Sequence, residues 1–421
     1  MSATTIEAPF ALVQTEELRK YSIASQTGHI LRGEYEEWRK RTMDVTISEI
    51  SGHIPPIPPK KYLTHHVTLT GHLNKVVDIK FSPDSKKLLS VCQDGFGIIW
   101  DVLSGLKLQA IPLVHRWALA CSYSPSGKLV AVAGLENKCT MYNVNVDLDE
   151  LLEENSDSIE LSKRGQSTMS TQHQAYIGVL EFLSDREVIT GSGDSLIRLW
   201  DVEKRCKIRE YTEHSGDITS VLIAPQDLKT PWSFYSSGAD GHVRLWDCRQ
   251  PKCVHSFSVS VSDVNVVTQS PDGNSFVSGD DLGRCQLFDI RSLCPIESYV
   301  LQDQFEYKKE PSAFGILQPN SSLHVPPPPP SPGLTASNRR GNGYDISGVT
   351  SIAISKSGRI MYTCYADYSC ICWDLFQKKI VERVGVGSVA HHDRVDLVRV
   401  SEDGQGLATA SWDTTVKIWT C

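Results

Sequence analysis

No stretch of this chain approaches the ~20 consecutive apolar residues that a membrane-spanning helix needs, so an integral helical membrane protein is not expected. Positive charge is in deficit: 42 Lys and Arg stand against 50 Asp and Glu, a formal charge of −8 over 421 residues. Sequence-independent nucleic-acid binding neutralises phosphates with excess Lys and Arg, and this balance argues against it. A disulfide framework is missing as well. The 12 cysteines follow no framework spacing and mostly sit in apolar, strand-like runs, where a free thiol packs as a small hydrophobe. Met1 to Phe10 has neither the basic start nor the apolar core of a secretory leader, and Met1-Ser2 is not a myristoylation site. Cys421 is the last residue, which does not make the prenylation pattern. The expectation is a reduced, cytoplasmic compartment, with any membrane attachment supplied by a partner.

Catalytic and cofactor signatures are equally sparse. Gly191-Ser192-Gly193-Asp194 is not followed by the Lys-Ser/Thr of a phosphate-binding loop. Cys370 and Cys372 lie two apart on a predicted strand with no second pair to complete a zinc site. His65-His66 and His391-His392 have no carboxylate cluster at ligand spacing. The sequence leads us to expect no enzyme activity, no cofactor and no metal.

What is there is a repeat. A turn Asp followed six residues later by Trp occurs at Asp94 and Trp100, Asp194 and Trp200, Asp240 and Trp246, Asp367 and Trp373, and Asp413 and Trp419. Two weaker copies end in Tyr142-Asn143 and Phe288-Asp289, which makes seven units. With stretches near 145–170 and 303–344 set aside as insertions, the remainder from Tyr62 to Cys421 divides into units of ~42 residues, within the ~40–45 of a WD40 blade. Short alternating runs separated by Ser-Pro-Asp or Ser-Pro-Ser-Gly turns supply the strands. The fold class is therefore all-β, a seven-bladed WD40 propeller over 62–421. Tyr62 to Thr70, before the first unit, reads as the outer strand of the last blade, closing the ring and removing exposed sheet edges.

Within a unit, His, Ser or Thr, Asp and Trp recur at the spacing of a buried hydrogen-bond relay: His72, Ser90, Asp94, Trp100; His173, Thr190, Asp194, Trp200; His391, Thr409, Asp413, Trp419. Recurrence at blade spacing marks these as scaffold and not as a nucleophilic triad, which would occur once. Unit five has Leu282 in place of the turn Asp, and unit six lacks a Gly-His start, so both are expected to rely more on packing.

Outside the blades, residues 1–50 hold a charged segment with heptad-spaced apolar residues: Ile23 and Ile30, or Leu31, Trp38 and Val45. Such a segment is an N-terminal α-helix only if a partner helix covers it in a coiled coil; the alternative is a charged arm without fixed structure. Residues 51–61, with Pro55-Pro56-Ile57-Pro58-Pro59, read as a stiff connector. The insertion at 303–344 is rich in proline and poor in apolar residues. It reads as a mobile loop with Ser331 as a candidate phosphosite, or as an inert linker.

Several strings resemble the β subunit of heterotrimeric G proteins: Leu-Thr-Gly-His-Leu-Asn-Lys at 69–75, Gln-Asp-Gly-Phe-Gly-Ile-Ile-Trp-Asp at 93–101, Ala-Ile-Pro-Leu-Val-His-Arg-Trp-Ala-Leu at 110–119 and Ala-Ser-Trp-Asp at 410–413. The long insertion before unit six is similar to that of the fungal β subunit of the mating-pheromone pathway. The resemblance implies a γ subunit paired with the arm and a GDP-bound α subunit held on one propeller face. It also implies release to effectors, a scaffold and a kinase after GTP exchange, downstream of a G-protein-coupled receptor. Membrane contact would be indirect, at the inner face of the plasma membrane through lipidated partners. Carried over by position, the α-facing residues are Lys75, Trp117, Leu119, Leu135, Asn137, Tyr176, Asp217, Asp263, Asn265, Asp281 and Trp412. Val77 and Thr219 stand where the family usually has Tyr and Met, which bears on the choice of α subunit. The alternative is a general WD40 scaffold of the ubiquitin-ligase-receptor or ribosome-associated type.

Overall fold

The computed structural model describes residues 63–144, 166–224, 232–301, 347–367, 370–385 and 389–420, together with 47, 51 and 54–57. Among these residues, 28 strands form seven four-stranded antiparallel sheets. Each sheet follows chain order from an inner to an outer strand. The exception is the last, in which β1 (Thr64–Thr70) lies outside β28 (Thr415–Thr420), Thr64 opposite Thr420 and Leu69 opposite Val416. The predicted closure of the ring by the two ends of the chain is thus observed.

The inner strands are β2 (Val76–Phe81), β6 (Ala118–Tyr123), β10 (Ile177–Phe182), β14 (Ile218–Ile223), β18 (Val264–Gln269), β22 (Val349–Ile354) and β26 (Val395–Val400). Each packs against the next around a ring, with β26 returning to β2. The hydrophobic core is divided accordingly into seven clusters, one in each gap between neighbouring blades. In the cluster between blades seven and one, Ile79, Leu88 and Trp100 of blade one meet Leu69, Ala408 and Val416 of blade seven. A blade cannot bury its faces alone, so the repeats stabilise one another by stacking. The turn after each of five inner strands begins with a serine, and its fourth residue has a positive φ: Ser85, Gly127, Gly273, Gly358 and Gly404. Glycine adopts that conformation without strain at four of the five.

One boundary differs from the sequence reading. The insertion expected over 145–170 overlaps Gln166–Ser170, which is strand β9, the outer strand of blade two, paired with Lys138–Asn143. The polar, acidic stretch before it masks the strand signal in the sequence. The expected helical arm lies outside the described residues apart from Ile47, which packs against the cluster between blades five and six. Of the connector, the carbonyls of Ile54 and Pro55 accept hydrogen bonds from Gln377 and Arg359 of blade six. The loop at 303–344, with Ser331, lies outside the described residues.

Candidate functional site

Complete relays are present in blades three and seven, blade one holds part of one, and one more appears in blade four. In blade four, His214 lies 2.9 Å from Asp240 and 2.7 Å from Ser236, whose hydroxyl accepts the Trp246 indole N–H at 2.8 Å. The sequence reading missed this set because His214 precedes its Asp by 26 residues rather than 21 or 22, an extra stretch intervening before the second strand. A carboxylate only accepts, so the histidine proton sits on Nδ1 and Nε2 takes the hydroxyl hydrogen. In blade three the corresponding distances are 2.9 Å for His173 to Asp194, 2.8 Å for His173 to Thr190 and 2.9 Å for the Trp200 indole. Blade seven repeats them at 2.9, 2.8 and 3.0 Å. Blade one departs: His72 Nε2 is 2.6 Å from Ser90, but Nδ1 is 3.5 Å from Asp94.

Burial opposes charge at Asp240 and Asp413. Hydrogen bonds from His214 and Arg244, and from His391 and Thr415, outweigh it and hold both carboxyls far below the usual carboxylate range. Burial keeps His72, His173 and His214 below the ordinary imidazole value, against the pull of their aspartates. These groups serve the scaffold: each relay ties the loop before an inner strand to the turn two strands later.

Those tied loops build one rim. The residue just before each inner strand accepts, at its carbonyl, the N–H of the residue just after the second strand. The pairs are Gln93 to Lys75, Leu135 to Trp117, Gly193 to Tyr176, Ala239 to Asp217, Asp281 to Asp263, Ala366 to Gly348 and Trp412 to Arg394. Eight of the proposed α-facing residues therefore occupy two equivalent positions repeated around the ring: Lys75, Trp117, Tyr176, Asp217 and Asp263 in the first, Leu135, Asp281 and Trp412 in the second. Asn137 is two residues beyond Leu135 in the same turn, its carbonyl bonded to Thr171. Leu119 and Asn265 lie on strands and not on the loops of this rim. They are the bulged second residues of β6 and β18 and line the mouth of the central channel with Val77, Gly178, Thr219, Thr350 and Asp396. That mouth opens on a cavity of about 370 Å³.

The rim is chemically sorted. Trp117 (54% exposed) and Leu135 present apolar surface on blade two. Tyr176 donates to Asp217 at 2.7 Å and lies across Gly193, where a Cβ would come within 2.6 Å of its ring. Burial, followed by the hydrogen bond and charge of Asp217, pushes its phenol up to about 12. Asp217, Asp263 and Asp281 form an acidic arc on blades four and five. At the junction of blades seven and one the Lys75 ammonium sits 3.3 Å from the Trp412 ring centroid and the Arg394 guanidinium 5.0 Å from it. The Trp412 indole N–H donates to Asp396, which also holds Arg394 at 2.6 Å. Arg394 and Asp396 were not singled out from sequence. Their signal was positional, since Arg394 is the blade-seven counterpart of Lys75 and Trp117. Leu73 (87% exposed) and Phe96 flank this junction, both backbone N–H groups held by Asp94. Deeper in the channel Lys80 of blade one pairs with Glu181 of blade three, passing the small Ser122 of blade two, which also bonds Glu181. Thr219 bonds Ser237 at 2.9 Å and the Val264 carbonyl of blade five, so its hydroxyl joins neighbouring blades.

Comparisons with known proteins agree with this architecture. The family described as G protein beta WD-40 repeat protein matches residues 18–303, and the WD domain, G-beta repeat, matches 341–374 and 385–420. The chain is 35% identical over 410 residues to a guanine nucleotide-binding protein subunit beta of Saccharomyces cerevisiae, covering 97% of this chain and 92% of that protein. It is 31% identical over 411 residues to the protein of the same name from Solanum tuberosum, covering 95% and 96%. The corresponding Zea mays protein is 30% identical over 411 residues, covering 95% of each. With seven blades built as described and family similarity along nearly their whole length, the chain belongs to the guanine nucleotide-binding protein β subunits.

Proposed function

We propose that this chain is the β subunit of a heterotrimeric G protein that works by binding and not by catalysis. In this reading a γ subunit pairs with the N-terminal arm, and the rim holds a GDP-bound α subunit. GTP exchange frees βγ to engage effectors, a scaffold and a kinase, downstream of a G-protein-coupled receptor. The long insertion before unit six, similar to that of the fungal β subunit of the mating-pheromone pathway, favours the pheromone response as the pathway. The site of action would be the inner face of the plasma membrane, reached from the cytoplasm through lipidated partners.

The observation that carries this reading is the rim. Exposed Trp117 and Leu135 stand beside Tyr176, an acidic arc and the Lys75–Trp412 pair, all at equivalent positions around one channel mouth. An exposed aromatic and aliphatic centre flanked by fixed charges is how interface hot spots are built. Exposed Leu73 and Phe96 extend the apolar surface onto the edge of blade one, in keeping with a second contact from the amphipathic N-terminal helix of α.

The test is capture of an α subunit loaded with GDP or with a non-hydrolysable GTP analogue. Strong capture with GDP and loss with the analogue is expected. Trp117→Ala is expected to weaken capture by about 2 kcal/mol, roughly 30-fold, with stability changed by less than about 0.5 kcal/mol. Equal capture in both nucleotide states would favour a general WD40 scaffold. Retention of a small helical companion after deletion of residues 1–59 would remove the role given to the arm.

A further inference from the structure

Blade one departs from its sister relays at the bond between histidine and aspartate. In blades three, four and seven the histidine Nδ1 meets its aspartate at 2.9 Å. In blade one His72 Nδ1 stands 3.5 Å from Asp94 Oδ2 and has no hydrogen-bond partner, although the side chain is 1% exposed. The residue two before the turn Asp is Ser192 in blade three, Gly238 in blade four and Ser411 in blade seven; here it is Cys92. His72 Nδ1, Cys92 Sγ and an Asp94 carboxylate oxygen all lie within 4.8 Å of one another.

We infer that His72, Cys92 and Asp94 form a site for one thiophilic divalent cation of the zinc type, with water as the fourth ligand. The geometry points this way. Tetrahedral ligands at ~2.0–2.2 Å from zinc are about 3.4 Å apart along an edge. The 3.5 Å between Nδ1 and Oδ2 is too long for a hydrogen bond and matches that edge. One thiolate and one carboxylate balance a divalent charge, and imidazole with thiolate selects zinc over magnesium or calcium.

The outer partners are already present. Nε2 carries the imidazole proton once Nδ1 binds metal and donates it to Ser90 Oγ at 2.6 Å. Ser90 also accepts the Trp100 indole N–H at 2.8 Å and turns its own hydrogen to the Ile98 carbonyl. The N–H groups of Leu73 and Phe96 orient the Asp94 carboxylate at 3.1 and 2.9 Å. Cys92, whose thiol donates to the Asn74 carbonyl at 2.9 Å, gives up that bond and releases its proton to solvent as the sulfur–metal bond forms. The cation would tie the loop carrying Leu73 and Lys75 to the turn of blade one, replacing the absent His–Asp bond.

Zinc stoichiometry after equilibrium dialysis, and the thiolate-to-metal charge-transfer absorption of Co²⁺, test this on the purified full-length protein. One zinc per chain and a cobalt–thiolate band are expected. Cys92→Ser, which recreates the arrangement of blades three and seven, should keep the fold, lose the band and weaken zinc at least tenfold. Cys206→Ser, at an exposed thiol, should leave both unchanged. Absence of stoichiometric zinc on the wild-type chain overturns the proposal whatever the variants do. So does a band that survives Cys92→Ser or Cys92→Ala, or one that disappears with Cys206→Ser.

Discussion

At the turn after its second strand blade four holds Asp240, while blade five beside it holds Leu282. Asp240 accepts from His214, from the N–H of Ser215 and from Arg244 at 2.9, 3.1 and 2.7 Å, and the N–H of His242 reaches its other oxygen. Leu282 is exposed and takes part in no relay. Asp280, two residues earlier, accepts from the Ser260 hydroxyl at 2.7 Å and the Arg284 N–H at 2.8 Å. Phe288 replaces the indole and stacks on Phe276 at 5.1 Å between centroids, with Phe257 meeting that ring edge-on at 4.9 Å. One fold thus fixes the same corner either by a polar relay or by a shorter polar link over an aromatic stack. Position by position, the two blades should differ most in what each aspartate or its replacement supports.

The largest difference is expected at the turn itself. Asp240→Ala leaves the buried Arg244 guanidinium and His214 Nδ1 without their acceptor, a loss of about 3–5 kcal/mol. Leu282→Ala removes exposed surface only and should stay within about 0.5 kcal/mol. Urea unfolding of the two variants measures the contrast, and similar losses would show that the relay is not what holds blade four. Next in size is Asp280→Ala, which removes the acceptor of the Ser260 hydroxyl and of the Arg284 N–H and should cost about 1–2 kcal/mol, between the other two. A cost as large as that of Asp240→Ala would mean that blade five depends on its polar link more than on its rings.

The contrast also explains what the sequence made legible. The propeller and its closure were readable because Asp and Trp six apart recur in five units and the first strand lies alone before them. The fourth relay was not, because extra residues before the second strand shift His214 out of register with the other histidines. Nothing in the sequence marks Asp280 as the substitute for the turn Asp that Leu282 replaces, since a side chain reaching back from two positions away leaves no fixed spacing. On the rim, Lys75, Trp117, Tyr176, Asp217 and Asp263 came from resemblance one at a time. Their common position before each inner strand, and the place of Arg394 beside them, emerge only when the seven backbone pairs are seen together. Strand β9 was lost for a compositional reason, its polar run Gln166–Ser170 adjoining a polar, acidic stretch.

The smallest effect expected concerns acid. Burial lowers the His214 imidazole below its ordinary value of 6.5, whereas Ser260 occupies the corresponding place in blade five and does not titrate. A histidine whose folded value is depressed binds fewer protons in the folded chain than in the unfolded one. Its contribution is therefore full above 6.5 and lost as pH falls beneath that value. The slope from one such group is at most about 1.4 kcal/mol per pH unit. Asp240, also depressed, acts in the same direction but only once pH drops toward the carboxylate range. Unfolding followed from pH 7.5 to 5 should show His214→Gln less stable than wild type at the upper end but flatter in its pH dependence. Ser260→Ala should run parallel to wild type throughout. Parallel curves for both variants would mean that the relay histidine is protonated alike in the folded and unfolded chain, and blades four and five would then differ in packing and hydrogen bonding but not in their response to acid.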